Sequence, residues 1–487
     1  MTKYIPTIGI ECHVQLKTKT KLFASVGNDA RGAEPNTLIS HICLGMPGAL
    51  PYLNEQAIDL ACRAAFALNV EPQKFSKFDR KHYFYPDLPK GYQISQLYHP
   101  IILGGEVNIK ADGKSKKIKI TRAHLEEDAG KNTHPEGSSY SLVDLNRAGT
   151  PLLEIVSEPE MHTPEEAKAY ATELYLLMKY ADVTEGDLYH GNMRFDVNVS
   201  ISSDPKKLGN RTETKNLNSF KSVEKAVEYE IKRQTELLEK GKEVVQETRG
   251  WDDAKQKTTT QRSKEDAHDY RYMPDPDIPP LELTNEFVKK AQSEMPKMMP
   301  DDWRHKLHDL GLNGQQIEIL LQSELELRDK ISILPIIEEN LSDKDLAKFL
   351  ANWNVNIFLP LVRENKLKLG KDQHLVLESS IYDLTKQNKL SSTNAKALFE
   401  ELIQSDDLPK NIEDYAKEKG YIQVSDEGAI SKIVADVLEA NNQAVEDIKN
   451  GEMKAIGFLV GQVMKQSKGQ ANPALAQKLI KQQIEAL

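Results

Sequence analysis

Two acidic residues and two histidines recur at strand spacing in separate parts of the chain. Glu11 and His13 are two residues apart in segment 9–16, whose apolar and polar side chains alternate. His124 and Glu126 repeat that spacing. Residues two apart on a strand share one face of the sheet and lie about 6.6 Å apart. Each pair can therefore reach a single cation.

Three further carboxylates lie in comparable surroundings. Glu154 stands in an apolar run, where an ionised side chain is costly unless it is paired or bound to a cation. Asp196 is on the polar side of the alternating segment 193–201, and Glu213 follows in segment 211–215. Oxygen ligands with one imidazole suit Mg²⁺ or Mn²⁺ better than zinc. The alternative is an ordinary solvated strand face, and spacing alone leaves both interpretations open.

Two segments combine aromatic and cationic residues and are candidates for binding phosphates and bases. They are residues 79–93, which include Lys90, and residues 269–274. Rings can stack on bases and cations can hold phosphates, while an ordered surface loop is the alternative.

Gly113-Lys114-Ser115 ends like a P-loop, but Asn108 stands where that motif needs glycine. A hairpin turning at Asp112-Gly113 fits this stretch better, so any use of ATP does not involve a P-loop.

The elements that must position these residues change in character along the chain. Up to about residue 285, alternating segments are mixed with helical ones, and after Thr284 amphipathic helices dominate. We predict an α+β protein in which a sheet-based cradle domain is followed by a helical domain and a small helical tail. The predicted boundaries are 1–292, 293–408 and 409–487.

Composition restricts the class of protein. The 487 residues carry a net charge of −10 and are 39% hydrophobic, which supports several cores but not a uniformly basic nucleic-acid binder. Three scattered cysteines do not form a disulfide framework and suit a reducing compartment. Neither a signal peptide nor an apolar run of the ~18 residues that a membrane span needs is present. We expect a soluble, cytoplasmic protein without a membrane partner.

Several long segments together resemble the B subunit of bacterial and organellar glutamyl-/aspartyl-tRNA amidotransferases along nearly the whole chain. The resemblance is carried by residues 8–16, 82–96, 145–155, 211–220, 269–281 and 457–465. It implies that ATP phosphorylates the side-chain carboxylate of misacylated Glu-tRNA(Gln) or Asp-tRNA(Asn). Ammonia from a partner amidase, the A subunit, then displaces phosphate in a heterotrimer that also contains a small C subunit.

The resemblance also implies roles for individual residues. The family's Mg²⁺ (or Mn²⁺) and phosphorylation site falls on six residues, of which the first four are the predicted catalytic ones: Glu11, His13, Glu126, Glu154, Asp196 and Glu213. Lys90 and Arg194 are candidate phosphate or substrate contacts. In the tail, five lysines stand against two glutamates from residue 451 onward, and Lys454 and Lys465 are candidates for binding tRNA. A solvated helix face is the alternative for these lysines, and a non-catalytic tRNA-binding role is the alternative for the chain.

The chain departs from the family pattern at one place near its start. Many members carry two cysteine pairs that bind zinc, whereas this chain has Ala24, Val26, Ser40 and Cys43 at those positions. A structural zinc site needs four ligands, so we predict that zinc is absent. The helical domain around residues 316–333 also departs from the family pattern.

Overall fold

The structure, a computed structural model, describes residues 4–263, 269–327, 333–423, 427–449, 452, 454–467 and 471–486. The chain divides into two compact units, Met1–Asp302 and Trp303–Leu487. Among the described residues, all strands belong to the first unit and the second unit is helical. This confirms the predicted α+β class with a helical C-terminal part.

The strands of the first unit are short to medium in length. They are β1 (Ile5–Gln15), β2 (Phe75–His82), β3 (Tyr92–His99), β4 (Ile102–Leu103), β5 (Glu106–Ala111), β6 (Lys114–Glu127), β7 (Lys131–Thr133), β8 (Leu142–Asp144), β9 (Pro151–Ser157), β10 (Met193–Ser202), β11 (Thr212–Leu217), β12 (Glu247–Asp252), β13 (Lys257–Ser263), β14 (Met273–Pro274) and β15 (Leu281–Glu282).

A nine-stranded sheet organises the first unit. Its order is β13-β12-β11-β10-β1-β9-β6-β4, with β5 paired to β6. The pairs are antiparallel except for β11 with β12. A smaller sheet joins β2 to β3, β14 and β15, and β7 pairs with β8. The first strand of the chain is thus in the middle of the main sheet, flanked by strands that come much later in the sequence.

The helices cover one face of this sheet or form the second unit. They are α1 (Glu55–Ala67), α2 (Pro164–Tyr180), α3 (Phe220–Glu239), α4 (Asn285–Ser293), α5 (Pro300–Asp309), α6 (Gly314–Leu327), α7 (Ile333–Glu339), α8 (Lys344–Trp353), α9 (Leu359–Arg363), α10 (Lys371–Lys386), α11 (Ser392–Leu402), α12 (Ile412–Glu418), α13 (Glu427–Ala440), α14 (Asn442–Lys449), α15 (Ala455–Gln466) and α16 (Pro473–Ala486); a π-helical turn, Asn354–Phe358, joins α8 to α9.

The alternation predicted for β1 separates the core from an open face. Ile8, Ile10, Cys12 and Val14 are buried, with at most 1% of their surface exposed, and helices α2 and α3 pack on this side of the sheet. The intervening side chains of β1 face the other way and are only partly buried, and we call this side of the sheet its open face. The predicted hairpin also forms between β5 and β6, with φ of +50° at Asp112 and +74° at the next residue.

Helix caps follow from the sequence. Thr163 accepts a hydrogen bond from the amide of Glu166 at the start of α2, and Ser219 caps α3 through the amide of Ser222.

In the second unit, a separate core forms between α13, α14, α15 and α16, where twelve apolar side chains are buried together. The three-domain division at residues 292 and 408 stays a prediction. In the described residues, no helix is long and apolar enough to cross a membrane.

Candidate metal and substrate site

The open face of the main sheet carries the predicted site residues on neighbouring strands. On the central strand β1, His13 is directly opposite Glu154 of β9 on one side and Arg194 of β10 on the other. Glu11 is opposite Asp196 of β10, but its neighbour on β9 is an apolar valine. The pairing of β6 with β9 then brings Glu126 onto the same face.

Three of these residues converge on one point, and we call them the His13 cluster. The ligand atoms of His13, Glu126 and Glu154 all lie within 4.8 Å of one another. His13 Nε2 is 3.5 Å from an oxygen of each carboxylate. The buried imidazole of His124 also contacts both carboxylates. Its Nε2 atom is 3.6 Å from an oxygen of Glu126 and 3.5 Å from an oxygen of Glu154.

Charge balance within the His13 cluster depends on the histidines. Burial lowers the pKa of His13, but the hydrogen bond and charge of Glu154 and the charge of Glu126 raise it to about 9. Burial raises the pKa values of both glutamates, and the charge of Glu154 raises that of Glu126 further, yet His124 and His13 hold both pKa values below their ordinary range. Two adjacent buried carboxylates thus stay ionised because positive charge faces them.

The donor set of the His13 cluster fits a divalent cation. Two carboxylates and one imidazole offer oxygen and nitrogen ligands at separations that one ion can span, as Mg²⁺ or Mn²⁺ requires. The Nδ1 atom of His124, on the other side of the ring from the glutamates, is buried and has no hydrogen-bond partner among the described residues. A bound cation would supply the charge that the protonated imidazole provides here.

Two of the other three predicted ligands form a second group around a lysine. Lys215 Nζ is 3.0 Å from Asp196 and 2.8 Å from Glu213, and we call these three residues the Lys215 cluster. Burial lowers the pKa of Lys215, but the two carboxylates raise it overall. Glu11 lies alongside, where Asn198 donates a hydrogen bond to it at 3.1 Å. Burial, Glu154 and Glu213 raise the pKa of Glu11.

The six predicted ligands therefore do not form one group in the structure. His13, Glu126 and Glu154 meet, whereas Glu11 lies outside their cluster and the remaining two carboxylates face an amine. Lys215 was not singled out as a site residue from the sequence. The signal for it was its position two residues after Glu213 on a strand, which puts both on one face.

The two predicted phosphate contacts are engaged with carboxylates. Lys90 pairs with the buried Glu127, the residue next to Glu126, and lies 5.6 Å from the ring centre of Tyr92. Arg194 donates to Asp128 at 3.2 Å. Both cations are thus paired with carboxylates, and a phosphate would have to compete with these carboxylates for them.

A cavity of about 370 Å³ adjoins Glu11 on the open face. This volume is within the range of small-molecule sites. Gly209 lines it, where a Cβ atom would come within 2.1 Å of the carbonyl oxygen of Ile201. Only glycine therefore allows the 208–211 loop to approach β10 so closely. Its polar lining comes from Thr7, Glu11, Asn198, Ser200, Asn210, Arg211 and Gln246.

The predicted tail residues lie in the second unit. Lys454 immediately precedes α15 and Lys465 is in its last turn, and both are exposed. Between them, Gly457 and Gly461 have no heavy atom within 4 Å of a Cβ position, so this face of α15 is open within the described part of the unit.

Comparisons with known proteins identify the family of this chain. The GatB/GatE catalytic domain matches residues 6–289, and a second GatB domain matches residues 336–484. The chain is 42% identical to the B subunit of the aspartyl/glutamyl-tRNA(Asn/Gln) amidotransferase of Brevibacillus brevis, over 100% of both chains. It is 41% identical to the corresponding B subunits of Carboxydothermus hydrogenoformans, over 100% of both chains, and Thermotoga maritima, over 99% of both. The chain therefore belongs to the GatB/GatE family, among the aspartyl/glutamyl-tRNA(Asn/Gln) amidotransferase B subunits.

Proposed function

We propose that this chain catalyses the ATP-dependent amidation of glutamate or aspartate attached to tRNA(Gln) or tRNA(Asn). The observation that carries the proposal is the His13 cluster on the open face of the sheet, in a chain that matches amidotransferase B subunits over its whole length. We propose Mg²⁺ or Mn²⁺ as its cofactor and ATP as a substrate.

The chemistry requires an activated carboxylate. Ammonia cannot expel oxide from a carboxylate, so an oxygen of the side chain first attacks the γ-phosphorus of ATP, releasing ADP and forming an acyl phosphate. Ammonia then attacks the carbonyl carbon and phosphate leaves, giving the amide. A cation held by His13, Glu126 and Glu154 would neutralise charge on the phosphates and the attacking carboxylate.

The chain's own residues have distinct parts in this scheme. The His13 cluster holds the cation, and His124 fixes the positions of both glutamates. Lys215 offers an ammonium group beside Glu11, where it can contact a phosphate oxygen. The neighbouring cavity is large enough for part of a nucleotide. In this proposal, the groups that contact phosphate lie on neighbouring strands of the main sheet, from Lys215 on β11 to Glu126 on β6.

Ammonia must come from elsewhere in this proposal. Burial raises the pKa of Cys12, and burial with the charge of Asp59 raises the pKa of Cys62 to about 12, so neither thiol is an activated nucleophile. Cys43 is buried beside Lys21 and Ser40. We therefore propose a heterotrimer with a glutamine-hydrolysing A subunit and a small C subunit, which binds misacylated tRNA in the cytoplasm.

A substitution at the His13 cluster tests the proposal. In the reconstituted heterotrimer, His13→Ala should lower tRNA-dependent ATP hydrolysis and amide formation at least tenfold, or about 1.4 kcal/mol of activation free energy. His41→Ala, at an exposed histidine of the same unit, is the matched control and should have little effect. Unchanged ATP hydrolysis in His13→Ala would instead favour a non-catalytic, tRNA-binding role for the chain.

A further inference from the structure

A buried polar network lies under one end of the main sheet, where helix α3 packs against the strands. We call it the Glu230 network, and its members are Thr212 of β11, Glu230 and Gln234 of α3, Arg249 of β12 and Thr258 of β13. Each member is at most 7% exposed. Hydrogen-bonded networks in a core hold the elements that share them in one arrangement.

The carboxylate of Glu230 joins the helix to three strands. Thr212 donates to it at 2.8 Å, Thr258 donates to it as well, and Arg249 Nε lies 3.0 Å away. One turn further along α3, Gln234 donates to Thr212 Oγ1 at 2.9 Å and to a backbone carbonyl of β10 at 3.1 Å. Helix α3 therefore fixes the positions of β10, β11, β12 and β13 relative to one another.

The strand residues of the network are direct neighbours of the Lys215 cluster. On β11, Thr212 is completely buried toward α3, so Glu213 and Lys215 point to the opposite, open face. On β12, Arg249 belongs to the network, and the residue before it, Thr248, donates to Glu213 at 3.0 Å. Glu213 is thus held from two strands, each of which is tied to Glu230 one residue away.

Backbone pairing alone constrains β11 weakly at Lys215. The register between β10 and β11 shifts between Phe195 and Val197, so two residues of β11, the first of them Lys215, lie opposite the single Asp196. Such a bulge bends the strand and redirects a side chain. On its other side, β11 pairs with β12 in parallel, which is slightly less stable per residue than antiparallel pairing. The hydrogen bonds to α3 supply the missing constraint.

We infer that the Glu230 network positions Glu213 and Lys215 for contact with the phosphates of ATP. This inference rests on the proposed function. Glu230 and Thr212 are buried on the other side of the sheet from the open face, so they are positioning residues that act through the Lys215 cluster. The hydrogen bonds of the network join α3 to β10–β13, whereas the His13 cluster is on β1, β6 and β9. The two ends of the site should therefore respond separately to changes in the network.

Thr212→Val in the reconstituted heterotrimer tests the inference. It keeps the shape of the side chain but removes the hydrogen bonds that join Thr212 to Glu230 and Gln234. The value of kcat/KM for ATP should fall about tenfold, because a small displacement of a group that contacts the reacting phosphate is costly. The KM for misacylated tRNA and the Mn²⁺ affinity of the His13 cluster should stay within about twofold. Thr212→Ser should restore the wild-type kinetics.

Thr184→Val is the matched control for a loss of stability alone. Thr184 is 2% exposed, and its hydroxyl accepts a hydrogen bond from the amide of Gly186, outside the sheet. This variant should leave kcat/KM for ATP unchanged. Equal losses in both variants, or a fall in Mn²⁺ affinity in Thr212→Val, would make the network a general stabiliser of the fold and overturn the inference. If Thr212→Val does not fold, Thr248→Val tests the same link at a partly exposed position, by removing the hydrogen bond to Glu213.

The acetylation rate of Lys215 separates this inference from the proposed function. Burial lowers the pKa of Lys215, but Asp196 and Glu213 raise it overall, so acetic anhydride should modify this amine slowly in the wild type. Thr212→Val should speed up the reaction about fivefold, the effect of one weakened hydrogen bond, while the exposed Lys255 reacts at its wild-type rate. Peptide mass spectrometry would measure both rates. If the wild type hydrolyses no ATP but this increase is found, the positioning stands and the proposed function fails. A wild-type rate at Lys215 in Thr212→Val would show that the network does not position this residue.

Discussion

His13 and Glu154 are directly opposite each other on β1 and β9, and His13 Nε2 lies 3.5 Å from Glu154 Oε2. Backbone pairing therefore fixes this contact, independently of any loop. The imidazole faces Glu126 at the same distance. Because these ligand groups are on sheet strands, a cation would bind at a site that is already formed.

Glu154→Gln should weaken cation binding at the His13 cluster. The amide keeps the size of the side chain but removes its negative charge, so we expect Mn²⁺ affinity to fall at least tenfold. Titration calorimetry or electron paramagnetic resonance of Mn²⁺ would measure this. Glu160→Gln, at a partly exposed glutamate shortly after the same strand, is the control. Equal Mn²⁺ affinity in wild type and Glu154→Gln would remove Glu154 from the ligand set.

Lys215→Met should make the stability of the chain depend on divalent cations. Asp196 and Glu213 would lose the ammonium that faces both, and an uncompensated buried carboxylate costs about 3 kcal/mol. The Tm should fall by several degrees without Mg²⁺, and Mg²⁺ should raise it more than in the wild type. Lys255→Met removes an exposed ion pair with Asp252 and should change little. An equal Mg²⁺ response in both variants would contradict this prediction.

The sequence predicted which face of each strand is buried, but it did not predict which strands pair with each other. The alternation around Cys12 and Val197 correctly separated the core side of β1 and β10 from the polar side. The order of the strands could not be predicted from the sequence, because β1 pairs with β9 and β10, which lie about 140 to 200 residues later. Register decides that His13 faces Glu154 while Glu11 faces Asp196, and register between distant strands is set by the whole fold.

The ion pairs of Lys215 could likewise be predicted only in part from the sequence. Its spacing from Glu213 was visible, but its contact with Asp196 depends on how β10 pairs with β11 across an irregular register. The aromatic and cationic segments 79–93 and 269–274 were anticipated separately, and only the pairing of β14 with β2 brings them together.

Glu230→Gln should change the acid stability of the sheet edge. Burial raises the pKa of Glu230, but hydrogen bonds from Arg233 and Thr258 lower it overall, below the usual range of a glutamate. A lowered folded-state pKa gives stability that is present above the unfolded value and lost as pH falls through the folded value. The variant should lose about 3 kcal/mol at pH 7 and show a shallower decline below about pH 4.5.

Urea unfolding of the full chain at pH 7 and at pH 3.5 would measure this difference. Glu228→Gln is the control, since Glu228 is 60% exposed on the same helix and pairs only with the nearby Lys225 among the described residues. A Glu230→Gln variant as stable as the control at pH 7 would show that the buried network around Arg233 and Arg249 does not stabilise the fold.

Purified protein should contain less than one zinc ion per chain. Ala24, Val26 and Ser40 offer no thiols, and Cys43 Sγ lies 3.5 Å from Lys21 Nζ, a cation that disfavours a metal ion there. Elemental analysis by mass spectrometry would measure the content. As a positive control, Ala24→Cys with Val26→Cys and Ser40→Cys should raise zinc binding. Stoichiometric zinc in the wild type would require other ligands.

The tail lysines should contribute to the salt dependence of tRNA binding. Each lysine–phosphate contact releases counterions, so the logarithm of the affinity falls linearly with the logarithm of salt concentration. Lys454→Ala with Lys465→Ala should reduce that slope by about one to two and weaken binding at low salt. Filter binding across a salt series would measure this slope.

The matched control is Lys432→Ala with Lys481→Ala, two exposed lysines on α13 and α16. If both double variants change the slope equally, the basic charge of the tail acts as a whole. If neither changes it, Lys454 and Lys465 belong to a solvated helix face.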